Sequence, residues 1–190
     1  MSRKATATVV LVSALAIWGR SCLWAQGTPM KSKDVAQKVG LRVAATTMHL
    51  LGLKKSGHVY TPQHGLYFIT ELGKEAIGIA KTDKAHAAKI LNHQPTDKAF
   101  HFYTGVHQYT HIIAHSLAEF SDKLQKVDVK SVEFHVPRKD FENWVHALGD
   151  VELERRFGLI RNMHLRGEDL RTRVYEAVKH RLEELKRISG

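Results

Sequence analysis

The sequence TPMKSKDVAQKVGLRVAATTMHLLGLKKSGHVYTPQHGLYFITELGKEAI, from Thr28 to Ile77, decides the fold of the first half of this 190-residue chain. Ser32 is of a residue type that caps helix N-termini, so a helix is predicted over residues 33–39. Gly40 follows at the place where a left-handed glycine commonly ends a helix. Only a tight turn separates this helix from the next apolar residues.

A second helix is predicted over residues 43–56, because apolar residues recur there at three- and four-residue steps. Gly57 ends it. Val59–Tyr60 and residues 66–70 are rich in β-branched and aromatic residues and flank the turn sequence TPQHG. They are therefore predicted to be two strands joined by a short loop.

Residues 69–76 spell ITELGKEA, in which Thr70 is predicted to cap a further helix. This phrase resembles the LTxxGxxA ending that follows the wing in winged helix-turn-helix proteins. The order of helix, turn, helix, two-stranded ribbon and helix resembles the broad archaeal and bacterial winged-helix family over about residues 5–92. The resemblance implies nucleic-acid binding as the leading function.

The apolar run from Ala5 to Trp18 has two interpretations. It follows Arg3 and Lys4 and precedes small and polar residues up to Gly27, which is the layout of a secretory signal peptide. It is too short to span a bilayer as a helix. The winged-helix pattern, however, needs a first helix here, buried on most sides. We favour the structural helix, with the signal peptide as the alternative.

The positive charge is concentrated in one half of the chain. Residues 1–95 contain 13 Lys and Arg against 4 Asp and Glu, whereas residues 96–190 contain 16 against 15. A local field of this sign suits a polyanion, with DNA favoured and RNA or a ribosome surface as the alternative. The single cysteine, Cys22, excludes an internal disulfide and a CxxC metal site, which fits a cytoplasmic protein.

The sequence PTD after Gln94 marks a predicted boundary between a winged-helix domain over 1–95 and a second domain over 96–190. The second domain is predicted to be α+β and helix-rich, with a small sheet that includes strands at 100–103 and 131–136. The predicted fold class of the whole chain is therefore α+β.

Three polar residues in the second domain are predicted to cap helices: Ser116, Asp140 and Asp150. The phrases FHFYTG, VEFHVPRKDFENWV and LGD resemble an uncharacterised archaeal domain family. Because that family has no assigned activity, this resemblance implies a fold and no functional site.

The second predicted helix offers few groups that read base edges. Its groove side, aligned with the winged-helix pattern, carries mostly small or apolar residues: Ala44, Ala45, Thr47, Met48, Leu51 and Gly52. Only Thr47 among them can hydrogen-bond to a base, so we expect mainly phosphate contacts without sequence specificity. The predicted nucleic-acid-binding residues are Lys31, Lys33, Lys38, Arg42, Thr47, His49, Lys54, Lys55, Tyr60 and His64.

His107, His111 and His115 would share one face only on a continuous helix. Gly105 and the β-branched residues that follow argue against such a helix, so no metal site is predicted. The histidines are expected to lie at the surface or at the edge of the core.

The tightest cluster of acid–base residues comprises Glu133, His135, Asp140 and Glu142. Glu133 and His135 would lie on one face of the predicted strand, where a satisfied polar edge is the expected role. The sequence contains no Gly-rich phosphate loop and no nucleophile elbow. We therefore predict no catalytic residues, no cofactor and no enzyme, and an enzyme centred on the second domain is the weakest alternative.

The leading prediction is a cytoplasmic, archaeal DNA-binding protein that regulates transcription or associates with chromatin. The main alternative is a winged-helix protein that binds RNA, a ribosome or a protein partner, since an apolar exposed helix face often marks an interface. No membrane partner is expected. The oligomeric state stays open, with a homodimer as one option.

Overall fold

The computed structural model describes residues 29–190, and the chain divides after Lys81 into two units. The predicted first helix over 5–18, with its signal-peptide alternative, lies outside the described residues. The predicted domain boundary at residue 95 falls inside the second unit, because the helix Lys84–Leu91 packs against the last helix of the chain.

Helices and two small antiparallel sheets make up the described residues, so the predicted α+β class is confirmed. Among these residues, no helix is both long and apolar enough to cross a bilayer. The first unit contains β1 (Met30–Lys31), α1 (Ser32–Val39), α2 (Val43–Lys55), β2 (Val59–Tyr60), β3 (Leu66–Ile69) and α3 (Glu71–Ala76). The second unit contains α4 (Lys84–Leu91), β4 (Phe100–Gly105), β5 (Gln108–Ala114), α5 (Leu117–Leu124), α6 (Val129–His135), α7 (Asp140–Leu148), α8 (Val151–Arg161) and α9 (Gly167–Ser189).

The sheet of the first unit has β3 between β1 and β2, antiparallel to both. The register places Met30 opposite Tyr67 and Val59 opposite Ile69. α1 packs against α2, and apolar side chains from both helices and the sheet meet in a small core. Its buried members are Met30, Val35, Leu50, Leu53, Val59 and Tyr67.

The ends of α1 follow the sequence prediction at one terminus and depart from it at the other. Gly40 ends the helix in the left-handed conformation with φ 68°, as predicted. Ser32 does not cap the helix, so that prediction is wrong. The capping position belongs to Lys31, whose side chain makes no capping hydrogen bond.

The phrase ITELGKEA has a packing explanation. Thr70 caps α3 as predicted, and its hydroxyl accepts a hydrogen bond from the Gly73 N–H at 3.1 Å. A Cβ atom at Gly73 would overlap the carbonyl oxygen of His58, so only glycine allows α3 to lie this close to the chain before β2. The glycine is therefore a requirement of helix–strand packing.

The second unit has a larger core, in which aromatic rings from the β4–β5 hairpin meet rings from the helices. The ring centroids of Phe100 and Phe102 in β4 lie 4.9 Å apart, and Phe100 lies 5.1 Å from Phe141 of α7. Such edge-to-face and tilted pairs stabilise a core beyond their buried area. α9 packs across α4, α5, α6 and α8 and so connects most of the unit.

The predicted strand at 131–136 is wrong, because these residues belong to α6. Asp128 caps this helix, its side chain accepting a hydrogen bond from the Lys130 N–H at 2.9 Å. Ser131, Val132 and His135 are buried at helical spacing where α6 packs against β4. Local capping and tertiary packing therefore outweigh the β propensity of the sequence SVEFHV.

The three helix caps predicted in the second unit concern α5, α7 and α8. Asp150 caps α8 as predicted, accepting a hydrogen bond from the Leu153 N–H at 3.0 Å. Asp140 does not cap α7, because it is already the first helical residue, and the capping position belongs to Lys139. Ser116 caps α5, accepting from the Glu119 N–H at 3.2 Å.

A buried ion network connects α8 to α9. The Arg181 guanidinium donates to Asp150 Oδ2 and Glu152 Oε2, both at 2.9 Å. Arg156 donates to Glu152 Oε1 at 2.5 Å and to Glu184 Oε2 at 2.9 Å. Burial alone would lower the pKa of both arginines, but the three carboxylates outweigh it and raise each pKa. Both guanidinium groups are therefore charged.

Candidate nucleic-acid interface

The first unit carries a set of exposed cations that have no anionic partner among residues 29–190. The six predicted lysine and arginine residues are all exposed, and within residues 29–190 none of their side chains forms an ion pair or a hydrogen bond. They are Lys31, Lys33, Lys38, Arg42, Lys54 and Lys55. We call these six residues the basic set.

The basic set does not converge on one point. Lys31 and Lys33 stand at the start of α1 and Lys38 in its last turn. Arg42 precedes α2 and Lys55 ends it, so the two are separated by about 20 Å, the length of a 13-residue helix. A spread of this size matches successive phosphates along a nucleic-acid backbone better than a single bound ion.

The other four predicted binding residues differ in exposure. Tyr60 is 46% exposed on β2, with its ring packed edge-on against Phe68 at 5.7 Å. His64 is exposed in the loop between β2 and β3. Thr47 and His49 are half-buried, and the Thr47 hydroxyl donates to the carbonyl oxygen of Val43 at 2.9 Å. The one hydroxyl predicted to read a base edge is therefore already engaged as a donor.

The outer face of α2 is mostly apolar. Opposite the buried residues of this helix, Ala44, Met48, Leu51 and Lys55 recur at three- and four-residue steps. Met48 is 70% exposed and Leu51 is 46% exposed. Of the predicted groove residues, Ala45 is also exposed, whereas Thr47 and Gly52 are half-buried. This face offers one cation and large apolar side chains, a combination that does not distinguish base pairs.

The charges of the second unit are arranged differently. Residues 29–81 contain 8 Lys and Arg against 3 Asp and Glu, whereas residues 82–190 contain 18 against 16. Six arginines of the second unit bond to carboxylates, which cancels much of their field at short range. These arginines are Arg138, Arg156, Arg161, Arg171, Arg173 and Arg181.

The three histidines considered as metal ligands lie on or beside the β4–β5 hairpin. His107 is in the turn with φ 61°, His111 is in β5 with φ 60°, and His115 follows β5. The His115 ring stacks on His93 at 4.8 Å. Among the residues described, no group of three or more His, Cys, Asp or Glu side chains is placed to hold a metal ion.

The four acid–base residues of the second domain do not form one cluster, since His135 contacts Asp140 whereas Glu133 and Glu142 have separate partners. The predicted shared face of Glu133 and His135 is wrong, because two positions on a helix differ by about 200°. Glu133 Oε1 accepts a hydrogen bond from the Gly167 N–H at 2.8 Å, at the start of α9. Glu142 pairs with Arg161 at 3.3 Å. Each carboxylate therefore has a different structural partner.

His135 occupies a buried position between two partners. Its Nε2 accepts the Tyr103 N–H at 2.9 Å, so the Nδ1–H donates to Asp140 Oδ2 at 2.7 Å. Burial lowers the pKa of His135, although Asp140 opposes this effect. The imidazole is therefore neutral in the folded chain and serves to hold β4 against α6.

We expect the stability of the chain to fall as the pH drops below about 6.5, the unfolded pKa of histidine. Below that pH the unfolded His135 binds a proton that the folded one does not, which costs at most about 1.4 kcal/mol per pH unit. Urea unfolding at pH 7.5 and 5.5 measures this loss. The His135→Phe variant should be less stable than the native chain at pH 7.5. Its free energy of unfolding should, however, fall less than that of the native chain between pH 7.5 and pH 5.5.

His164→Asn provides the control for this measurement, because His164 is exposed in the loop before α9 and its side chain has no partner among residues 29–190. It should keep the pH dependence of the native chain. A His135→Phe variant with an unchanged pH dependence would show that His135 does not cause the effect.

One cleft of the second unit has no counterpart in the sequence analysis. A cleft of about 290 Å³ lies where the end of α6, the end of α8 and the start of α9 meet. Its polar lining comes from Glu133, Arg161, His164 and Arg166. These residues belong to segments that are distant in the sequence, and no motif or periodicity connects them.

Comparison with known proteins gives one match. The model of the "Family of unknown function (DUF5752)" matches residues 67–179, which is more than half of the chain. The match begins within β3 and leaves α1, α2 and β2 outside it. No curated protein and no solved structure matches the chain.

Proposed function

We propose that this chain, which belongs to the DUF5752 family of unknown function, binds nucleic acid through its first unit. The observation that carries the proposal is the basic set: six exposed cations that have no carboxylate partner within residues 29–190. In this proposal residues 30–76 act as a winged helix whose contacts are mainly to phosphates. DNA is the favoured partner. The proposed role is that of a cytoplasmic transcriptional regulator or chromatin-associated protein.

The geometry of α2 supports binding without sequence specificity. A helix that reads the major groove normally presents Arg, Lys, Asn or Gln to base edges. Here the outer face presents Met48 and Leu51, and the Thr47 hydroxyl bonds to the backbone. Phosphate contacts position a protein on a duplex and carry no sequence information.

The test is the salt dependence of binding. The full chain should bind two unrelated 25-base-pair duplexes with similar affinity, measured by fluorescence anisotropy. With about six phosphate contacts, the affinity should fall about 10³-fold between 50 and 200 mM salt, because counterions are released on binding. An affinity for duplex DNA that hardly changes with salt concentration would contradict the proposal.

A second candidate function rests on the exposed apolar side chains of α2. Large exposed apolar groups on a helix suit a protein or ribonucleoprotein surface. Co-sedimentation with ribosomes in a sucrose gradient tests this alternative. If it holds, Met48→Asp should abolish co-sedimentation, whereas the salt-sensitive affinity for naked duplexes should be weak.

A further inference from the structure

The cleft between α6, α8 and α9 combines two arginines and a histidine with an apolar wall. Arg161 lies at the end of α8, while His164 and Arg166 lie in the loop that leads to α9. The volume of about 290 Å³ is close to the lower end of the range for small-molecule sites. The cleft therefore has room for a compact ligand rather than a polymer.

The cations of the cleft keep unused hydrogen-bond donors. Arg161 contacts Glu142 through its Nε at 3.3 and 3.4 Å, and its two terminal nitrogens make no hydrogen bond within residues 29–190. The Arg166 guanidinium and the His164 imidazole are exposed and likewise have no side-chain partner among these residues. Most arginines of this unit bond to carboxylates, so Arg166 is a local exception.

The carboxylate in the cleft does not supply the missing anion. Glu133 Oε1 accepts the Gly167 N–H at 2.8 Å, at the N-terminus of the 23-residue helix α9. The positive end of a helix stabilises a carboxylate in this position. Because Glu133 is held there, the Arg166 guanidinium has no carboxylate partner among residues 29–190, and Arg161 keeps only the contact of its Nε with Glu142.

The remaining wall is apolar and is formed by Val136, Leu165 and Leu170. We propose that the cleft binds a small organic anion, whose phosphate or carboxylate group is held by Arg161 and Arg166 and whose apolar body rests on Val136 and Leu170. Arginine binds both kinds of acidic group through paired, charge-assisted hydrogen bonds. This site is independent of the proposed nucleic-acid interface, because it uses none of the basic set.

Phenyl phosphate is a suitable probe because it joins an anionic group to a flat apolar body. Isothermal titration calorimetry with the full chain in 50 mM salt should show saturable binding to one site. Inorganic phosphate, which lacks the apolar body, and benzyl alcohol, which lacks the charge, should each bind at least about tenfold more weakly. Benzoate in place of phenyl phosphate identifies which acidic group the arginines prefer.

Two variants test the assigned residues. Arg166→Ala should weaken phenyl phosphate binding about tenfold or more, because it removes a charge-assisted contact. His164→Asn should weaken it less, and asparagine tolerates the left-handed backbone, with φ 52°, at this position. Both side chains are exposed, so neither change is expected to unfold the chain.

Arg187→Ala is the matched control, since Arg187 is an exposed arginine in the last turn of α9 and does not line the cleft. It should bind phenyl phosphate as the native chain does. Equal weakening by Arg187→Ala and Arg166→Ala, or no saturable binding at all, would overturn the proposal. A Lys54→Glu/Lys55→Glu variant that binds phenyl phosphate normally but not DNA separates this site from the nucleic-acid interface.

Discussion

Replacing Arg181 with Met should lower the free energy of unfolding by about 3–5 kcal/mol, the cost of removing one partner from a buried ion pair. Arg181 is 2% exposed and bonds to Asp150 and Glu152, which are themselves buried. The substitution leaves the buried Asp150 without its Arg181 partner, while Glu152 keeps its pair with Arg156. Urea unfolding of the full chain at pH 7.5, followed by circular dichroism, measures the change.

Arg173→Met is the control on the same helix. Its partner Glu176 lies 3.5 Å away, and both side chains are substantially exposed. An exposed pair of this kind contributes about 0–1 kcal/mol, so this variant should resemble the native chain. If the two variants lose similar stability, the buried network does not hold α8 and α9 together.

A second, compensating substitution tests whether the loss of stability is electrostatic. Adding Asp150→Asn to Arg181→Met removes the charge that the first substitution leaves buried without a partner. The double variant should therefore recover part of the lost stability, because an unpaired buried charge costs more than a buried neutral amide. A double variant less stable than Arg181→Met alone would contradict the electrostatic explanation.

Changing Lys54 and Lys55 together to Glu should weaken binding of the full chain to duplex DNA about 50-fold at 0.1 M salt. Each phosphate contact adds about 0.9 to the slope of log affinity against log salt, so it contributes about 0.9 log units of affinity at 0.1 M salt relative to 1 M salt. The substitution removes two such contacts. The slope of log affinity against log salt should fall by about 2. Fluorescence anisotropy over a salt series measures both quantities.

The matched control changes Lys179 and Lys186 to Glu. Both lysines are exposed on α9, and the double substitution alters the net charge by the same amount. It should leave the affinity within about threefold of the native value, because neither lysine belongs to the basic set and screening limits charges that make no phosphate contact. Equal weakening by the control would mean that net charge alone drives binding. If the Lys54→Glu/Lys55→Glu variant bound only one DNA sequence more weakly, this would contradict the proposal that the protein does not read base sequence.

Local chemistry explains which parts of the fold the sequence predicts well. Gly40, Thr70, Ser116 and Asp150 perform the predicted terminal roles, because each acts through its own backbone conformation or a hydrogen bond three residues away. Such interactions depend on neighbouring residues only. The exposed cations of the first unit were predictable for a related reason, since lysines rarely become buried.

The errors have a different origin. SVEFHV carries strong β propensity, but its burial against β4 makes it part of α6, and that packing cannot be read from the segment itself. Ser32 could cap a helix, yet the pairing of Lys31 with Leu66 in the sheet leaves Lys31 in the capping position. The cleft escaped prediction because Glu133, Arg161 and Arg166 meet only in the folded chain.

The contrast between paired and unpaired cations has a consequence for how a polyanion reaches this protein. Opposite charges a few ångströms apart produce a field that dies away quickly, whereas unpaired charges of one sign act over the Debye length of about 8–10 Å. A negatively charged molecule arriving from solution therefore feels attraction mainly from residues 29–81, before any contact forms. Electrostatic steering of this kind raises the association rate and orients the first encounter, so the polyanion is attracted before its specific contacts with the protein form.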